Sequence, residues 1–336
     1  MKKEIIANSK SDETRVAVLE DSKLADLFIE RPESSKLAGN VYKGTVETLV
    51  PGISSAFVNI GLEKNGYLYI ADAIAGAPEI YNPKGLNPHI DPNKKYHFID
   101  KILKRDTNIM VQVIKEPIST KGVKLTMDIS LPGKYLVFMP FQNHPALSKS
   151  IINRKERDRL KKILDEVTGE QKGFIVRTEA EGASKEELHR EVRYLYRLWN
   201  NLLKKYQSAH APALIHKDLG LTFQMVRDVL NDDVAVFWID SKKEYEDVVG
   251  FADMVAPEHK NKIKCFDNKT PIFNAFNIED EIINIRKAKI KLPSGGSIII
   301  QEAESLCAVD VNTGKFKGSE SHEDTIYRTN KEAALE

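Results

Sequence analysis

Cysteine is nearly absent from the chain. Cys265 and Cys307 are the only two in 336 residues, far apart and outside any CxxC pair, so neither a disulfide framework nor a cysteine-ligated zinc site is encoded. Both are expected to be buried small hydrophobes. The eight histidines form no HxH or HExxH and none pairs with a cysteine at finger-like spacing, which argues against zinc catalysis within this segment. No apolar run approaches the roughly 18 residues a membrane helix needs. The opening MKKEIIANSKSDETRV is positive but lacks the apolar stretch and small-residue cleavage site of a secretory signal, and a cytoplasmic location is expected. Charge of one sign is lacking too. The formal net charge is only +1, so a nucleic-acid partner cannot be argued from the global field and must come from local patches.

What is present is a soluble, globular composition, 41% hydrophobic and 29% charged, in a chain long enough for two or more compact units. The beginning reads as three short strands, Glu4 to Ala7, Thr14 to Leu19 and Leu24 to Ile29, separated by the turn-forming SKSDE and EDS. Such an antiparallel meander cannot bury both faces alone and should pack on something later in the chain. From about Ala38 to Asp128, NVYKGTVETLV, SSAFVNIG, NGYLYIADA, NIMVQVIKE and GVKLTMDIS suggest a small closed barrel of five strands, interrupted by an exposed loop from Pro78 to Tyr96. A β-α-β-α unit follows from Leu131 to Gln207. It contains a charged helix, Asn153 to Asp165, and an amphipathic one, Ser184 to Lys205. Ser184 and Glu187 form a capping box for the second, and Leu188, Val192, Leu195, Trp199 and Leu202 recur at helical spacing. Helix and strand then alternate: Leu221 to Leu230, AVFWID, Lys242 to Met254, KIKCF, which argues α/β layering. From Glu279 come a helix, the strands KAKIKL and SIIIQE joined by PSGG, and LCAVDVN. The PSGG turn permits a tight hairpin but has no GK[ST] after it, so a phosphate-cradling P-loop is not supported.

Three places carry candidate chemistry. Phe57 and Tyr67 lie on adjacent barrel strands, with Lys121 in the basic turn STKGVK. Aromatics that stack bases beside a cation that meets phosphate are what a single-strand binding face needs. Most barrel aromatics are core, however, and because Ala56 and Val58 flank Phe57, alternation does not say which face is wet. In GFIVRTEAEGAS, Arg177 and Thr178 end a strand, where a guanidinium fork beside a hydroxyl suits a terminal phosphate. A surface salt bridge is the other reading. Nearby Lys149, Arg154, Lys155, Arg157, Arg159, Lys161 and Lys162 either line a nucleic-acid path or form a solvated helix face. Finally, Asp310 ends the apolar strand SLCAVD, taken as buried, with Asn312 two residues on and facing the same way. That is half of a hard-metal site, or an Asx-turn leaving the strand. A further carboxylate is needed to hold Mg²⁺, and Glu302, Glu304 and Asp324 are the candidates nearby in sequence.

KEIIANSKSDETRVAVLED, NVYKGTVETLVPGISSAFVNIGLEKNGYL, KGVKLTMDISLPGKYLVFMP, IVRTEAEGAS and RKAKIKLPSGGSIIIQEAESLCAVDVNTGKF together resemble the ribonuclease E/G family. They stand in that family's order over essentially the whole chain, and the likeness leans toward its G branch. The resemblance implies a multidomain α/β architecture plus a β-barrel. Its parts would be an RNase H-like unit of structural role (1–37 with 217–282), an inserted S1-type OB-fold barrel (38–128), a 5′-sensor module (129–216) and the start of a DNase I-like catalytic subdomain (283–336). It makes Phe57, Tyr67 and Lys121 the RNA-channel residues. Arg177 and Thr178 become the pocket for a 5′-monophosphate, with Gly133 and Val137 contacting the terminal nucleotide and Lys149 beside them. Asp310 becomes the first catalytic, Mg²⁺-binding aspartate, supported by Asn312.

The implied reaction is Mg²⁺-dependent hydrolysis of single-stranded RNA in RNA processing and decay, favoured by a 5′-monophosphate end, by a homo-oligomer without a membrane span. The family's second metal-binding aspartate, in a motif like VIDFIDM, and the cysteine pair of its intersubunit zinc link do not occur in this sequence. The chain is therefore expected to be a truncated form with little nuclease activity alone. A noncatalytic RNA-binding module and a scaffold of an RNA-processing assembly are the alternative readings.

Overall fold

The computed structural model describes residues 2–10, 12–31, 36–74, 99–117, 121–142, 145–169, 173–303, 306–314 and 321–336. The excursion expected between Pro78 and Tyr96 lies outside them. Strands β1 (Lys3–Asn8), β2 (Thr14–Glu20) and β3 (Lys23–Glu30) form the antiparallel meander that the turn residues predict. Its missing partner comes from far along the chain, since β1 pairs in parallel with a strand at Val234–Ile239.

The barrel consists of β4 (Val41–Val50), β5 (Ser55–Asn59), β6 (Gly66–Tyr69), β7 (Asn108–Lys115) and β8 (Lys124–Thr126), with the short helix α1 (Ile70–Ile74) after β6. The order β4-β5-β6-β8-β7 closes through pairing of β4 with β7. Val46, Ala56, Val58, Leu68, Val111, Val113 and Leu125 fill its interior. At Gly66 a Cβ would overlap the Leu125 side chain, so this glycine lets β6 lie against β8.

The next layer contains β9 (Leu131–Pro132), β10 (Leu136–Phe138), β11 (Ala146–Leu147), α2 (Arg154–Thr168), β12 (Phe174–Val176) and α3 (Lys185–Ser208). Asn153 caps α2, accepting hydrogen bonds from the Lys155 and Glu156 N–H groups, and the Ser184–Glu187 capping box starts α3. The five apolar residues read from the helical period of α3 are all buried against Phe138, Phe174 and Leu164. Strand β13 (Ala213–His216) then pairs with β4, and Lys43 donates to the Tyr206 and Ala209 carbonyls at 2.9 Å each. Barrel and helical layer are thus joined directly.

Alternation continues through α4 (Leu221–Asp228), β14 (Val234–Ile239), α5 (Lys242–Val255), β15 (Ile263–Cys265), α6 (Ile272–Ala275) and α7 (Ile278–Ile285). The resulting sheet has the order β15-β14-β1-β2-β3. Successive side chains of its strands go to opposite faces. Ile5, Ala7, Val16, Phe237 and Ile239 meet α4 and α5 on one side, and Ile6, Ala17 and Leu19 meet Ile272, Phe273 and Ile278 on the other. A last antiparallel sheet, β16 (Lys289–Lys291), β17 (Ser297–Glu302) and β18 (Cys307–Asn312), is followed by α8 (His322–Leu335). PSGG makes the expected hairpin, Leu292 N–H donating to the Gly296 carbonyl at 2.9 Å.

Two burial expectations are corrected. Cys265 is only half-buried and Cys307 is exposed, because each lies on an outer strand of its sheet. For the same reason the strand carrying Asp310 is exposed along its whole length. No helix among the described residues is long and apolar enough to cross a membrane.

Candidate nucleic-acid interface

Barrel register decides the question that alternation leaves open. Ala56 and Val58 are fully buried, so Phe57 faces outward. It pairs across the strands with Tyr67. The two rings meet edge to face, 6.0 Å between centroids, and the Tyr67 and Ser55 hydroxyls are hydrogen-bonded to each other at 2.8 Å, which fixes that ring. Both rings border a groove of about 790 Å³ whose other walls include Lys64, Asn65, Lys115, Lys121 and Lys124. Lys115 and Lys121 stand exposed at its rim, whereas Lys124 pairs with Asp72 at 2.9 Å. A flat apolar wall bordered by cations can stack bases and meet phosphates in the same strand.

The second assembly is built around Arg177, at the end of β12. Its backbone N–H donates to the Tyr135 carbonyl at 2.8 Å. Nη1 donates to the Gly133 carbonyl at 2.6 Å and to Asp228 Oδ1 at 2.8 Å, and Nε lies 3.3 Å from Glu179. Strand β11 runs parallel to β12, which brings Ser148 beside Thr178, their hydroxyls 3.2 Å apart, with exposed Lys149 next in sequence. Val137 is half-buried on β10, paired with Ile175 and Pro132.

Arg177 is thus joined to Gly133, and Thr178, next in sequence, to Ser148, the neighbour of Lys149. The salt-bridge reading of Arg177 is also correct, through Asp228 and Glu179. Burial pushes the Asp228 carboxyl up, but hydrogen bonds from Arg227 and Arg177 prevail and hold it below the ordinary range. Beneath the same turn, burial pushes the Glu191 carboxyl up to about 7, against N–H groups of Tyr135, Lys134 and Leu136 and the charge of Arg177. Of the basic residues around α2, Arg157 donates to the Ser148 and Ile151 carbonyls and Arg159 pairs with Glu156 at 2.6 Å. These two are structural.

On β18, Asp310 and Asn312 share one face, and Asn312 Nδ2 donates to Asp310 Oδ2 at 2.7 Å. Asp324, one carboxylate considered as a partner, accepts from the Ser321 hydroxyl at 2.8 Å at the start of α8. Glu304 lies outside the described residues, among which no group of three or more His, Cys, Asp or Glu is gathered to hold a metal. Asp310 nonetheless has the right chemistry for one carboxylate of a Mg²⁺ site, since that ion commonly takes one or two carboxylates and completes its shell with water and substrate phosphate.

The sequence signature described as Ribonuclease E/G family matches residues 130–336. Ribonuclease G of Escherichia coli (strain K12) is 36% identical over 340 residues, covering 99% of this chain and 67% of that protein. The chain belongs to the ribonuclease E/G family. Ribonuclease G of Haemophilus influenzae is 36% identical over 334 residues, with 66% of its length covered. Ribonuclease E of the same organism is 34% identical over 338 residues, with 35% covered. The chain thus spans about two thirds of these ribonuclease G relatives and a smaller share of ribonuclease E.

Within this ribonuclease E/G framework, Ser148, Glu179, Asp228 and Glu191 are site neighbours that the sequence reading missed. Ser148 had a local signal, standing beside Lys149 in ALSKS. Glu179, two positions after Arg177, had one as well, whereas Asp228 and Glu191 reach Arg177 or its turn only through tertiary packing. β18 shares neither a sheet nor a core cluster with the barrel, so Asp310 is not part of the groove.

Proposed function

We propose that this chain carries the RNA-binding and 5′-end-reading parts of an endoribonuclease that hydrolyses single-stranded RNA in processing and decay. The observation that carries the reading is the groove: Phe57 and Tyr67 side by side, facing out of an otherwise filled barrel, between lysines. Single-stranded RNA lies along it, with bases on the rings and phosphates toward Lys115 and Lys121. A 5′-monophosphate is received by Arg177 and Thr178, with Lys149 adding positive charge and Gly133 and Val137 flanking the terminal nucleotide. Because that site binds an end and not the scissile bond, it raises affinity for RNAs already cut once.

Asp310 contributes one ligand to Mg²⁺, and Asn312 steadies its carboxylate. The ion, when bound, polarises the phosphate and acidifies a water nucleophile, and its other protein ligands lie outside the described residues. The two-faced sheet of β15-β14-β1-β2-β3 serves as an RNase H-like support, and β16–β18 with α8 form part of a DNase I-like subdomain.

The test is cleavage of a short fluorescent single-stranded RNA bearing a 5′-monophosphate or a 5′-hydroxyl. It is run with Mg²⁺ by this chain and by a form continued to the length of its ribonuclease G relatives. Cutting by the longer form, faster with the monophosphate and abolished by Asp310→Asn, is expected. Binding without cutting in both forms would replace the nuclease by a noncatalytic RNA-binding module.

A further inference from the structure

The chemistry above makes no use of Glu191, although its carboxylate is one of the most deeply placed charges in the chain. It lies on α3 and is 6% exposed, one residue from buried Val192 and one helical turn from buried Leu188 and Leu195. Among the described residues no lysine, arginine or histidine forms an ion pair with it. Its partners are backbone amides. Lys134 N–H donates to one carboxylate oxygen, and Tyr135 N–H donates to the other at 2.8 Å. These amides belong to the turn between β9 and β10, which closes on itself by a Gly133 N–H bond to the Leu136 carbonyl at 2.7 Å. The approach is so close that a Cβ on Gly133 would overlap the Glu191 carboxylate.

The same turn faces Arg177 on its other side. The Gly133 carbonyl accepts from Nη1 and the Tyr135 carbonyl from the Arg177 backbone N–H. One buried carboxylate therefore fixes, through two or three residues of backbone, the Gly133 carbonyl that accepts from the guanidinium and the Tyr135 carbonyl that accepts from the Arg177 backbone N–H. An apolar residue of similar volume would fill this part of the core without the cost of desolvating a charge. What an apolar residue cannot do is hold two N–H groups that otherwise have no acceptor.

We infer that Glu191 is a positioning residue for 5′-end recognition: it touches no RNA, but pins the Gly133–Leu136 turn against which Arg177 is aimed. The inference rests on the reading of Arg177 and Thr178 as a 5′-phosphate site. In Glu191→Gln the amide nitrogen is a donor facing a donor, so one N–H loses its acceptor and the turn shifts. In Glu191→Asp the charge remains but the side chain is one methylene too short to meet both amides.

The experiment measures affinity of this chain, at pH 8 without Mg²⁺, for one fluorescent oligoribonucleotide bearing either a 5′-monophosphate or a 5′-hydroxyl. The wild type is expected to prefer the monophosphate. Glu191→Gln is expected to lose that preference by roughly tenfold, less than the roughly hundredfold that a 1 Å misplacement can cost at a reacting centre, with hydroxyl-RNA affinity unchanged. Loss of the preference with intact hydroxyl-RNA binding and a cooperative melt separates positioning from general structural damage. Should Glu191→Gln fail to fold, Glu191→Asp is held to the same comparison. A preference retained within twofold in the folded variant overturns the inference while leaving the 5′-phosphate reading intact. Absence of any preference in the wild type overturns both.

Discussion

A carboxylate surrounded by backbone N–H groups inside a core leaves a signature in stability as well as in recognition. Burial raises the Glu191 carboxyl from an ordinary value of 4.5 to about 7. Between those values the folded chain holds a proton that the unfolded chain has released. Stability contributed by this group is therefore greatest near pH 4.5, falls as pH rises, and levels off above about pH 7. A difference of this size corresponds to something on the order of 3 kcal/mol. Glu191→Gln removes the titration, so the difference between wild-type and variant unfolding free energies, followed by urea denaturation from pH 4.5 to pH 8, should change across that window. Parallel curves would mean that Glu191 ionises in the folded chain as it does in the unfolded one. The aromatics of the groove allow a second test at the same scale. Base stacking contributes about 1 to 3 kcal/mol per ring, so Phe57→Ala and Tyr67→Ala should each weaken binding of single-stranded RNA by about tenfold. Because neither ring is in the barrel core, the melting temperature should stay near the wild-type value. A melting loss without an affinity loss would return these aromatics to a packing role.

Elements, more than residues, show how far sequence legibility reached. Helix α3 was readable apart from its end, which runs past Lys205 to Ser208, because its apolar residues recur at one period and its start is marked by a capping box. Ser184→Ala should destabilise the chain by about 1 kcal/mol, measurable in urea, and a loss below about 0.3 kcal/mol would mean that Glu187 alone suffices to start the helix. The barrel strands were readable from turn spacing, but the outward face of Phe57 was not. Its neighbours Ala56 and Val58 are also apolar, and only the closure of β4 on β7 says which side is inside. Strand β18 shows the opposite failure. LCAVDVN has the apolar content of a buried strand, yet it is the outer strand of a small sheet and is exposed along its length, because burial depends on what packs over a strand and not on its own residues. Asp228 was illegible for the same reason. It ends a helix whose sequence gives no hint that its last carboxylate reaches Arg177, 51 positions away in the chain.

At the scale of the whole molecule the charges nearly cancel, +1 in all, so attraction of RNA must arise where cations gather beside the rings. Three lysines stand exposed at that rim, Lys64, Lys115 and Lys121, of which Lys64 already has a partner within the chain, while Lys124 is engaged by Asp72 at 2.9 Å. Each phosphate neutralised in a single strand releases counterions and contributes about −0.7 to the slope of log affinity against log salt. A 5′-hydroxyl tetranucleotide is about the shortest strand an OB barrel accommodates, and it avoids the monophosphate site. Its slope should be about −1.4, the sum of two such contacts. Lys121→Ala should reduce that slope by about 0.7. Lys124→Ala should change it less, since a cation already neutralised by Asp72 meets no phosphate. Equal slopes for wild type and Lys121→Ala, measured by fluorescence anisotropy over a series of KCl concentrations, would place the phosphate path off this rim. The strand would then have to run on the far side of Phe57 and Tyr67, away from Lys121.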